Sequence, residues 1–440
     1  MSEIRLFPDT PYSAAVSAYT RFGPYFEASE YTGWIDESMS WKQTCFIGDW
    51  PLFKLLVKGP DAVRFFREVS INGFTGFEVG RGKHSVMCNS AGQVMNEGVL
   101  MRLAEDECLF ICGRIDWALY QFQRGNYDAE AIDVTESRFT FQVQGPHALY
   151  LLEKLTGDDL RDIGFMRFRK SSIDGMEFDV LRMGMAGEVG YELHGSRSIG
   201  TSVYNAILEA GQEFGIRRLG GRTKMVNHVE ACFPTPTVDF WPAYFGDAEP
   251  EFTAHMNALD PSMATRWSRN SGSFVPERIE DLYRTPVELG WGRSIRFDHA
   301  FPGNAALALE VENPKRQMVT LVWDADDVVD VYASLYREGD PYGFMDLPRG
   351  SLGTLAIDQV LDGDALVGTS TSRCYSYYFR KMISLCTIDV THSEPGTSVT
   401  VLWGDSGGPQ KRIRATVAPA PFKQDKRRID VTALPEKLPL

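Results

Sequence analysis

The stretch RMGMAGEVGYELHG, residues 182–195, decides the fold, because its glycines suit either a phosphate-binding loop or a hairpin. A dinucleotide-binding loop places its glycines between a strand and an immediately following helix. Here the strand-like FDVLRMG comes before the glycines and a second strand-like segment, YELHG, comes after them. A helical pattern begins only after Ser196. The context therefore argues against a phosphate loop and predicts a strand, a glycine-rich hairpin and a second strand that carries Glu192.

Glu192 is the first candidate binding residue of this hairpin. Bare glycine backbone lets a flat ligand lie close to the chain, and a neighbouring carboxylate accepts hydrogen bonds from such a ligand. The alternative is that Glu192 is an ordinary solvated residue of a strand, as most glutamates are. The sequence leaves both interpretations open.

Size and charge limit the class of protein. The chain has 440 residues, of which 43% are hydrophobic. A single hydrophobic core stops growing at roughly 250–300 residues, so we expect two or three domains. The formal net charge of −14 argues against nucleic acid and against anionic membranes as partners. No signal-peptide pattern and no apolar run long enough for a membrane span occurs, which makes the cytoplasm the expected location.

The cysteine pattern argues against a disulfide framework and against a metal site. Seven cysteines are scattered over the chain, and an odd number at irregular spacing is not a disulfide pattern. Cys108 and Cys112 form the only close pair, which is more typical of small buried hydrophobic residues than of metal ligands. We therefore expect no metal.

The order of predicted elements indicates an α+β protein. Segments 53–70 and 139–157 each predict a strand, a Gly-Pro turn and a helix, and 86–113 predicts three strands. Residues 232–290 are irregular and rich in aromatic residues, which is typical of a functional loop. From about 317 onward, short strands at regular spacing predict a small antiparallel β-barrel.

The hairpin stretch resembles the R-x-G-Y-T-G-E-x-G-Y-E-L signature of the tetrahydrofolate-binding aminomethyltransferase family, the glycine-cleavage T-protein and its relatives. Further matches follow the family order: AGQVMNEG, FQVQGPHA, GGRTKMVNHVEAC and DALVGTSTS. The resemblance implies a three-domain cloverleaf around a central folate funnel. It predicts one discontinuous domain from 1–52 and 139–290, a second α+β domain from 53–138, and a C-terminal region with the small barrel from 291–440.

Departures from the aminomethyltransferase pattern point to a different methyl donor. Asn96 stands where the family has its catalytic aspartate, and His228 replaces the arginine of an R-x-E motif. The stretches PAYFGD, SGSFVPERIEDLY and ELGWGRSIRFDHAFPG resemble bacterial tetrahydrofolate-dependent O-demethylases that act on vanillate, syringate or 3-O-methylgallate. The resemblance implies a cytoplasmic methyltransferase of lignin-derived aromatic catabolism. It would move a methyl group from a small methoxylated aromatic acid to N5 of tetrahydrofolate as cosubstrate.

The same resemblance assigns the catalytic and substrate-binding residues. Tyr244 matches the tyrosine expected to donate a proton or hydrogen bond to the departing aryl oxygen, for which a phenol pKa near 10 is suited. Tyr25 matches a second active-site tyrosine. Arg114 matches an arginine that holds the aromatic carboxylate, although a surface arginine opposite Asp116 is an equal alternative. Trp50 replaces a substrate-side histidine, for which His228 is a possible substitute, although a lone histidine is more often structural.

The folate-binding residues implied by the resemblance cluster around the hairpin. Glu192 and Glu230 are expected to accept hydrogen bonds from the pterin, with Gly187 in the turn beside it. Arg222 is assigned either to the carboxylate end of folate or to the fold. Trp291 either stacks on a flat ring or belongs to the core.

Two other functions remain open from the sequence. A folate-dependent sulfonium or N-methyl demethylase, of the dimethylsulfoniopropionate type, would use Arg114 equally well. A non-catalytic folate-binding regulator is compatible with the loss of the family aspartate at Asn96, but the presence of Tyr244 argues against it.

Overall fold

The computed structural model describes residues 5–10, 12–22, 25–347 and 355–438. It is a mixed α+β structure with a β-hairpin, two open sheets and a closed barrel, which confirms the predicted fold class. The strands are β1 (Tyr19–Phe22), β2 (Tyr25–Ala28), β3 (Cys45–Asp49), β4 (Phe53–Lys58), β5 (Gly82–Cys88), β6 (Val94–Ala104), β7 (Glu107–Cys112), β8 (Glu130–Asp133), β9 (Arg138–Gln144), β10 (Phe168–Ile173), β11 (Met176–Leu181), β12 (Gly190–Ser196), β13 (Ile216–Arg218), β14 (Arg316–Trp323), β15 (Asp358–Asp362), β16 (Ala365–Ser376), β17 (Lys381–Asp389), β18 (Ser398–Trp403) and β19 (Lys411–Ala418). The helices are α1 (Trp34–Gln43), α2 (Ala62–Val69), α3 (Asp116–Arg124), α4 (Ala148–Thr156), α5 (Arg197–Gly211), α6 (Gly221–Ala231), α7 (Pro250–Leu259), α8 (Met263–Arg266), α9 (Asn304–Glu312) and α10 (Ala325–Ser334).

The six-stranded sheet contains the stretch that decides the fold. Its strand order is β10-β11-β12-β9-β3-β13, and all neighbours are antiparallel except β3 and β13. β11 and β12 form the expected hairpin, in which Leu181 lies opposite Glu192. The strand-turn-helix unit predicted at 139–157 is β9 followed by α4, and α5 begins at Arg197, directly after β12.

The five-stranded sheet contains the strands that were predicted within residues 53–113. Its order is β5-β6-β7-β4-β8, with every neighbour antiparallel. The three strands predicted within 86–113 are β5, β6 and β7, and the unit predicted at 53–70 is β4 followed by α2. Phe65 and Phe66 of α2 and Trp117 of α3 belong to one buried cluster, which also contains Tyr244. The core of this sheet therefore extends to the aromatic loop.

The predicted C-terminal antiparallel barrel is confirmed. Its six strands close in the order β14-β17-β16-β15-β18-β19. Two elements of this region have no counterpart in the sequence prediction, namely β15 and α10. Helix α10 begins at a capped terminus, where the Asp324 carboxylate accepts hydrogen bonds from the backbone N–H groups of Asp326 and Asp327.

The aromatic segment 232–290 is largely irregular, as expected, but it contains α7, α8 and a short 3-10 turn at Ile279–Leu282. Backbone hydrogen bonds tie it to the five-stranded sheet, since the Ala243 N–H donates to the Val94 carbonyl at 2.9 Å. The exact domain boundaries given above stay a prediction.

Three features of the described residues concern membrane, metal and disulfide sites. None of their helices combines the length and the apolar character that a membrane crossing requires. Within the same ranges, His, Cys, Asp and Glu side chains form no group of three or more that is suited to a metal ion. All seven cysteines are free thiols, and six of them are buried.

Candidate active site

Glu192 is held by a relay of two glutamines. Gln142 lies opposite Glu192 in the ladder between β9 and β12, and its Nε2 donates to Glu192 Oε1 at 2.7 Å. Gln144 Nε2 donates to Gln142 Oε1 at 2.8 Å, and Gln144 Oε1 accepts from the Ala186 N–H at 3.0 Å. The backbone of the hairpin loop is thereby connected to the carboxylate, which is only 4% exposed and has a fixed orientation.

The second oxygen of Glu192 faces a histidine. His194 Nε2 lies 3.3 Å from Glu192 Oε2, and His194 Nδ1 lies 3.2 Å from Thr140 Oγ1. A carboxylate has about four acceptor sites, so Glu192 keeps capacity for further N–H donors after these contacts. Paired N–H groups on a guanidine-like edge are what a reduced pterin presents, and this set of acceptors therefore fits that ligand.

The glycines of the hairpin make room for the protein's own side chain. A Cβ atom on Gly184 would lie 2.4 Å from Gln144 Oε1, and one on Gly190 would lie 2.2 Å from Gln144 Cγ. Gly184 and Gly190 are thus needed to leave space for the Gln144 side chain. From the sequence, we expected the glycines to leave space for a flat ligand instead. Gly187 is different, because its φ of 67° lies in the left-handed region that glycine adopts without strain.

Replacing Gly190 with alanine should disturb the relay. The new methyl group must displace Gln144, which we expect to lower the free energy of unfolding by about 1–3 kcal/mol and to weaken folate binding. Thermal melting and calorimetric titration with tetrahydrofolate measure the two effects. Gly113→Ala is the matched control, because nothing lies within 4 Å of its added Cβ. Unchanged folate affinity in Gly190→Ala would show that Gln144 does not support Glu192.

Trp50 lies over the same face of the sheet as Glu192. Gly48 lies opposite Gln142, which lies opposite Glu192, and directly opposed residues share a face of a sheet. A Cβ on Gly48 would lie 3.1 Å from Trp50 Nε1. Neighbouring strands are about 4.8 Å apart, so the indole is roughly 10 Å across the sheet from Glu192.

His228 stacks on Trp50, with ring centroids 5.4 Å apart and an angle of 6° between the planes. His228 Nδ1 lies 3.0 Å from Thr235 Oγ1, which also lies 3.1 Å from the Phe233 carbonyl oxygen. His228 Nε2 is buried and has no hydrogen-bond partner among the described residues. Burial lowers the pKa of His228 to about 3, and the ring is neutral.

Glu230 is surrounded by donors of the protein itself. Its carboxylate accepts from Trp41 Nε1 at 3.1 Å, Lys42 Nζ at 2.8 Å and Ser376 Oγ at 2.5 Å, and it is fully buried. These contacts join α6 to α1 and to β16. The geometry thus gives Glu230 a structural role, and its role toward folate stays a prediction.

Arg222 and Trp291 have contacts of their own. Arg222 donates from Nη1 to Glu30 Oε1 at 2.8 Å and from Nη2 to the Leu347 carbonyl at 2.9 Å. Trp291 packs edge-on against His84, with centroids 4.9 Å apart and an angle of 82°. Both residues are partly buried, and their contribution to folate binding stays a prediction.

Tyr244 lies at the other sheet, where the aromatic segment meets β6. The side chain is 2% exposed, and its ring packs edge-on against Phe252 with centroids 5.6 Å apart. Within the described residues the phenol hydroxyl makes no hydrogen bond. Burial, followed by the nearby Asp116 carboxylate, raises the pKa of Tyr244 above its ordinary value, so the phenol stays protonated at neutral pH.

Arg114 is near enough to Tyr244 for its guanidinium to offset part of the rise in the pKa of that phenol. Arg114 Nε donates to Asp116 Oδ2 at 2.7 Å, and Nη1 lies 3.6 Å from Asp260 Oδ2. Its carbonyl accepts from Asn96 Nδ2 at 2.6 Å. Asp260 was not anticipated, because nothing in the sequence around 260 links it to a residue about 150 positions away.

Tyr25 occupies a third environment. Its hydroxyl donates to Glu136 Oε1 at 2.6 Å, and burial, together with this carboxylate, raises the pKa of Tyr25 to about 12. Its ring packs edge-on against Phe7, with centroids 6.1 Å apart. Its catalytic role stays a prediction.

The chain belongs to the glycine-cleavage T-protein family: the GCVT N-terminal domain matches residues 13–244, and the glycine cleavage T-protein C-terminal barrel domain matches residues 349–423. This membership confirms the predicted enzyme class, a tetrahydrofolate-dependent methyltransferase, and tetrahydrofolate as its cosubstrate.

Individual relatives cover nearly the whole chain. A sesamin methylene transferase from a Sinomonas species is 37% identical over 96% of each chain. A syringate O-demethylase from a Sphingobium species is 32% identical over 90% of this chain and 89% of its own. The glycine cleavage aminomethyltransferase T of Bartonella henselae has the same fold, with a TM-score of 0.69, 17% identity, and coverage of 94% of this chain and 96% of its own.

Proposed function

We propose that the protein is an aryl-ether O-demethylase that transfers a methyl group to N5 of tetrahydrofolate. The methyl–oxygen bond of the ether breaks, a carbon–nitrogen bond to N5 forms, and the N5 proton is balanced by the proton gained by the phenol product. The neutral folate nitrogen is the nucleophile. The difficulty lies in the leaving group, because an aryl oxide departs slowly unless its oxygen is protonated or hydrogen-bonded.

Tyr244 carries this proposal. It is a buried and protonated phenol whose hydroxyl is free of protein partners in the described residues, beside the cationic Arg114. Such a group can donate a hydrogen bond to the departing oxygen, and its raised pKa keeps the proton on the Tyr244 hydroxyl until the ether oxygen departs. Placement of the ether and the folate in one site would supply much of the remaining acceleration.

The relatives support an aromatic donor. One of them is named for the demethylation of syringate and another for methylene transfer from sesamin. The donors predicted from the sequence are methoxylated aromatic acids of the vanillate, syringate or 3-O-methylgallate type. An origin of these donors in lignin breakdown and a cytoplasmic location are part of the same proposal.

Methylene transfer is the second candidate, favoured by the 37% identical relative. A methylenedioxy arene would lose both carbon–oxygen bonds to its bridging carbon, and the two protons of folate N5 and N10 would pass to the catechol product. The same Tyr244 hydroxyl would serve one departing oxygen.

A donor panel tests the proposal. Purified protein is incubated with tetrahydrofolate and, separately, vanillate, syringate, 3-O-methylgallate, guaiacol, 1,3-benzodioxole and dimethylsulfoniopropionate. We expect 5-methyltetrahydrofolate and a phenol from methoxyarenes. Formation of 5,10-methylenetetrahydrofolate from benzodioxole alone would select the second candidate. Turnover of the sulfonium donor alone, or folate binding without any product, would overturn the aryl-ether proposal.

A further inference from the structure

Arg114 is paired with carboxylates of the protein on two sides. Its Nε donates to Asp116, the first residue of α3, and its Nη1 lies 3.6 Å from Asp260, the residue that caps the end of α7. All three side chains are partly buried. Arg114 therefore has a carboxylate of the protein on each of two sides.

This charge arrangement opposes a ligand carboxylate. Recognition of a carboxylate by arginine is strongest when two N–H groups on one edge are available for a bidentate contact. Asp116 uses the Nε edge, and Asp260 faces Nη1 of the distal edge. An incoming carboxylate would therefore meet a guanidinium already neutralised and two like charges within a few ångströms, which disfavours it.

The Tyr244 phenol also has carboxylates near it. Asp116 and Glu97 both act to raise the pKa of Tyr244, and only Arg114 among the leading charges acts to lower it. Glu97 is in turn 3.0 Å from His84 Nε2. Two carboxylates and one guanidinium therefore act on the Tyr244 phenol.

We propose that the donor is an uncharged aryl ether, and that Asp260 sets this preference by neutralising Arg114. The proposal rests on the aryl-ether function given above and replaces the aromatic acid expected from the sequence with a neutral aromatic. Arg114 then acts as a positioning residue that joins the loop after β7 to α3 and α7. The Arg114 Nη2 group makes no hydrogen bond or ion pair with a described residue. It can therefore donate a hydrogen bond to a neutral oxygen of the donor.

Vanillate and guaiacol test the proposal, because they differ only by a carboxylate on the same methoxyphenol ring. We expect the wild-type protein to have a kcat/KM about tenfold or more higher for guaiacol. Asp260→Asn removes one negative charge with little change of shape, and it should raise the vanillate-to-guaiacol ratio of kcat/KM about five- to tenfold, mainly through the KM for vanillate. Glu251→Gln is the matched control, since Glu251 lies on the same helix but pairs with Arg124; its ratio should stay that of the wild type.

The outcomes separate the two proposals. Preference of the wild-type protein for vanillate, or an unchanged ratio in Asp260→Asn, would overturn the neutral-donor proposal while leaving O-demethylation intact. If no donor gives a folate product, O-demethylation is overturned. In that case the ratio of the dissociation constants of vanillate and guaiacol, measured by calorimetry with the folate-loaded protein, still decides the charge preference. A vanillate affinity that equals or exceeds the guaiacol affinity would then overturn it.

Discussion

Tyr244→Phe should reduce kcat about 10²- to 10⁴-fold, the contribution expected of a well-positioned acid group, with little change in the affinity for tetrahydrofolate. The substitution removes only the hydroxyl, which has no protein partner among the described residues, so the packing of the ring against Phe252 is kept. Single-turnover formation of methylated folate measures the chemical step. Because the pKa of Tyr244 is raised, the wild-type rate should show no loss from ionisation of this group up to about pH 9.

Tyr120→Phe is the matched control for this result. Its ring packs against the same Phe252, with centroids 5.0 Å apart, but its hydroxyl lies 3.4 Å from the exposed Glu251. The control should retain wild-type turnover. A Tyr244→Phe variant that turns over at the wild-type rate would remove Tyr244 from the mechanism, and an equal loss in Tyr120→Phe would indicate that packing around Phe252 is responsible.

Glu192→Gln should weaken tetrahydrofolate binding about 10- to 100-fold, because a hydrogen bond to a charged group contributes about 1.5–3 kcal/mol. The amide removes the negative charge that we expect to face the pterin, and its NH₂ group cannot accept a hydrogen bond from Gln142. Isothermal titration with tetrahydrofolate measures the loss. At saturating folate, kcat should change far less than the dissociation constant, since the proposed acid group, Tyr244, is untouched.

Glu177→Gln is the matched control for Glu192→Gln, because it also removes one carboxylate from the six-stranded sheet. Glu177 is exposed on β11, and its replacement should leave folate affinity unchanged. Folate binding of wild-type strength in Glu192→Gln would show that the pterin binds elsewhere. Circular dichroism and thermal melting of both variants distinguish lost affinity from lost folding.

Local patterns were sufficient for much of the fold. The hairpin at 182–195 was predictable because a strand, rather than a helix, follows its glycines, and the period of the side chains differs between the two. The barrel was predictable because its short strands are separated by evident turns. β15 was not predicted, because it is defined by its pairing with β16 and β18. Both of these strands lie further along the chain.

The site was less predictable than the fold. Glu192 and Tyr244 were singled out through motifs, and the structure gives each a buried environment with defined neighbours. Gln142 and Gln144 were missed, because glutamines in a strand have no distinctive spacing and their importance arises from the opposing strand β12. The stack of Trp50 on His228 joins positions nearly 180 residues apart, and no local pattern encodes such a contact.

The sequence by itself determined the α+β class, the carboxylate-bearing hairpin, the C-terminal barrel and the one-carbon transferase family, because these depend on periodicity, turn residues and short motifs within continuous segments. Only the tertiary structure decided the charge around Arg114, where Asp260 arrives from the end of α7. Electrostatic energy depends on distance through space rather than on separation along the chain, and the proposed preference for a neutral donor therefore depends on a contact that only folding creates.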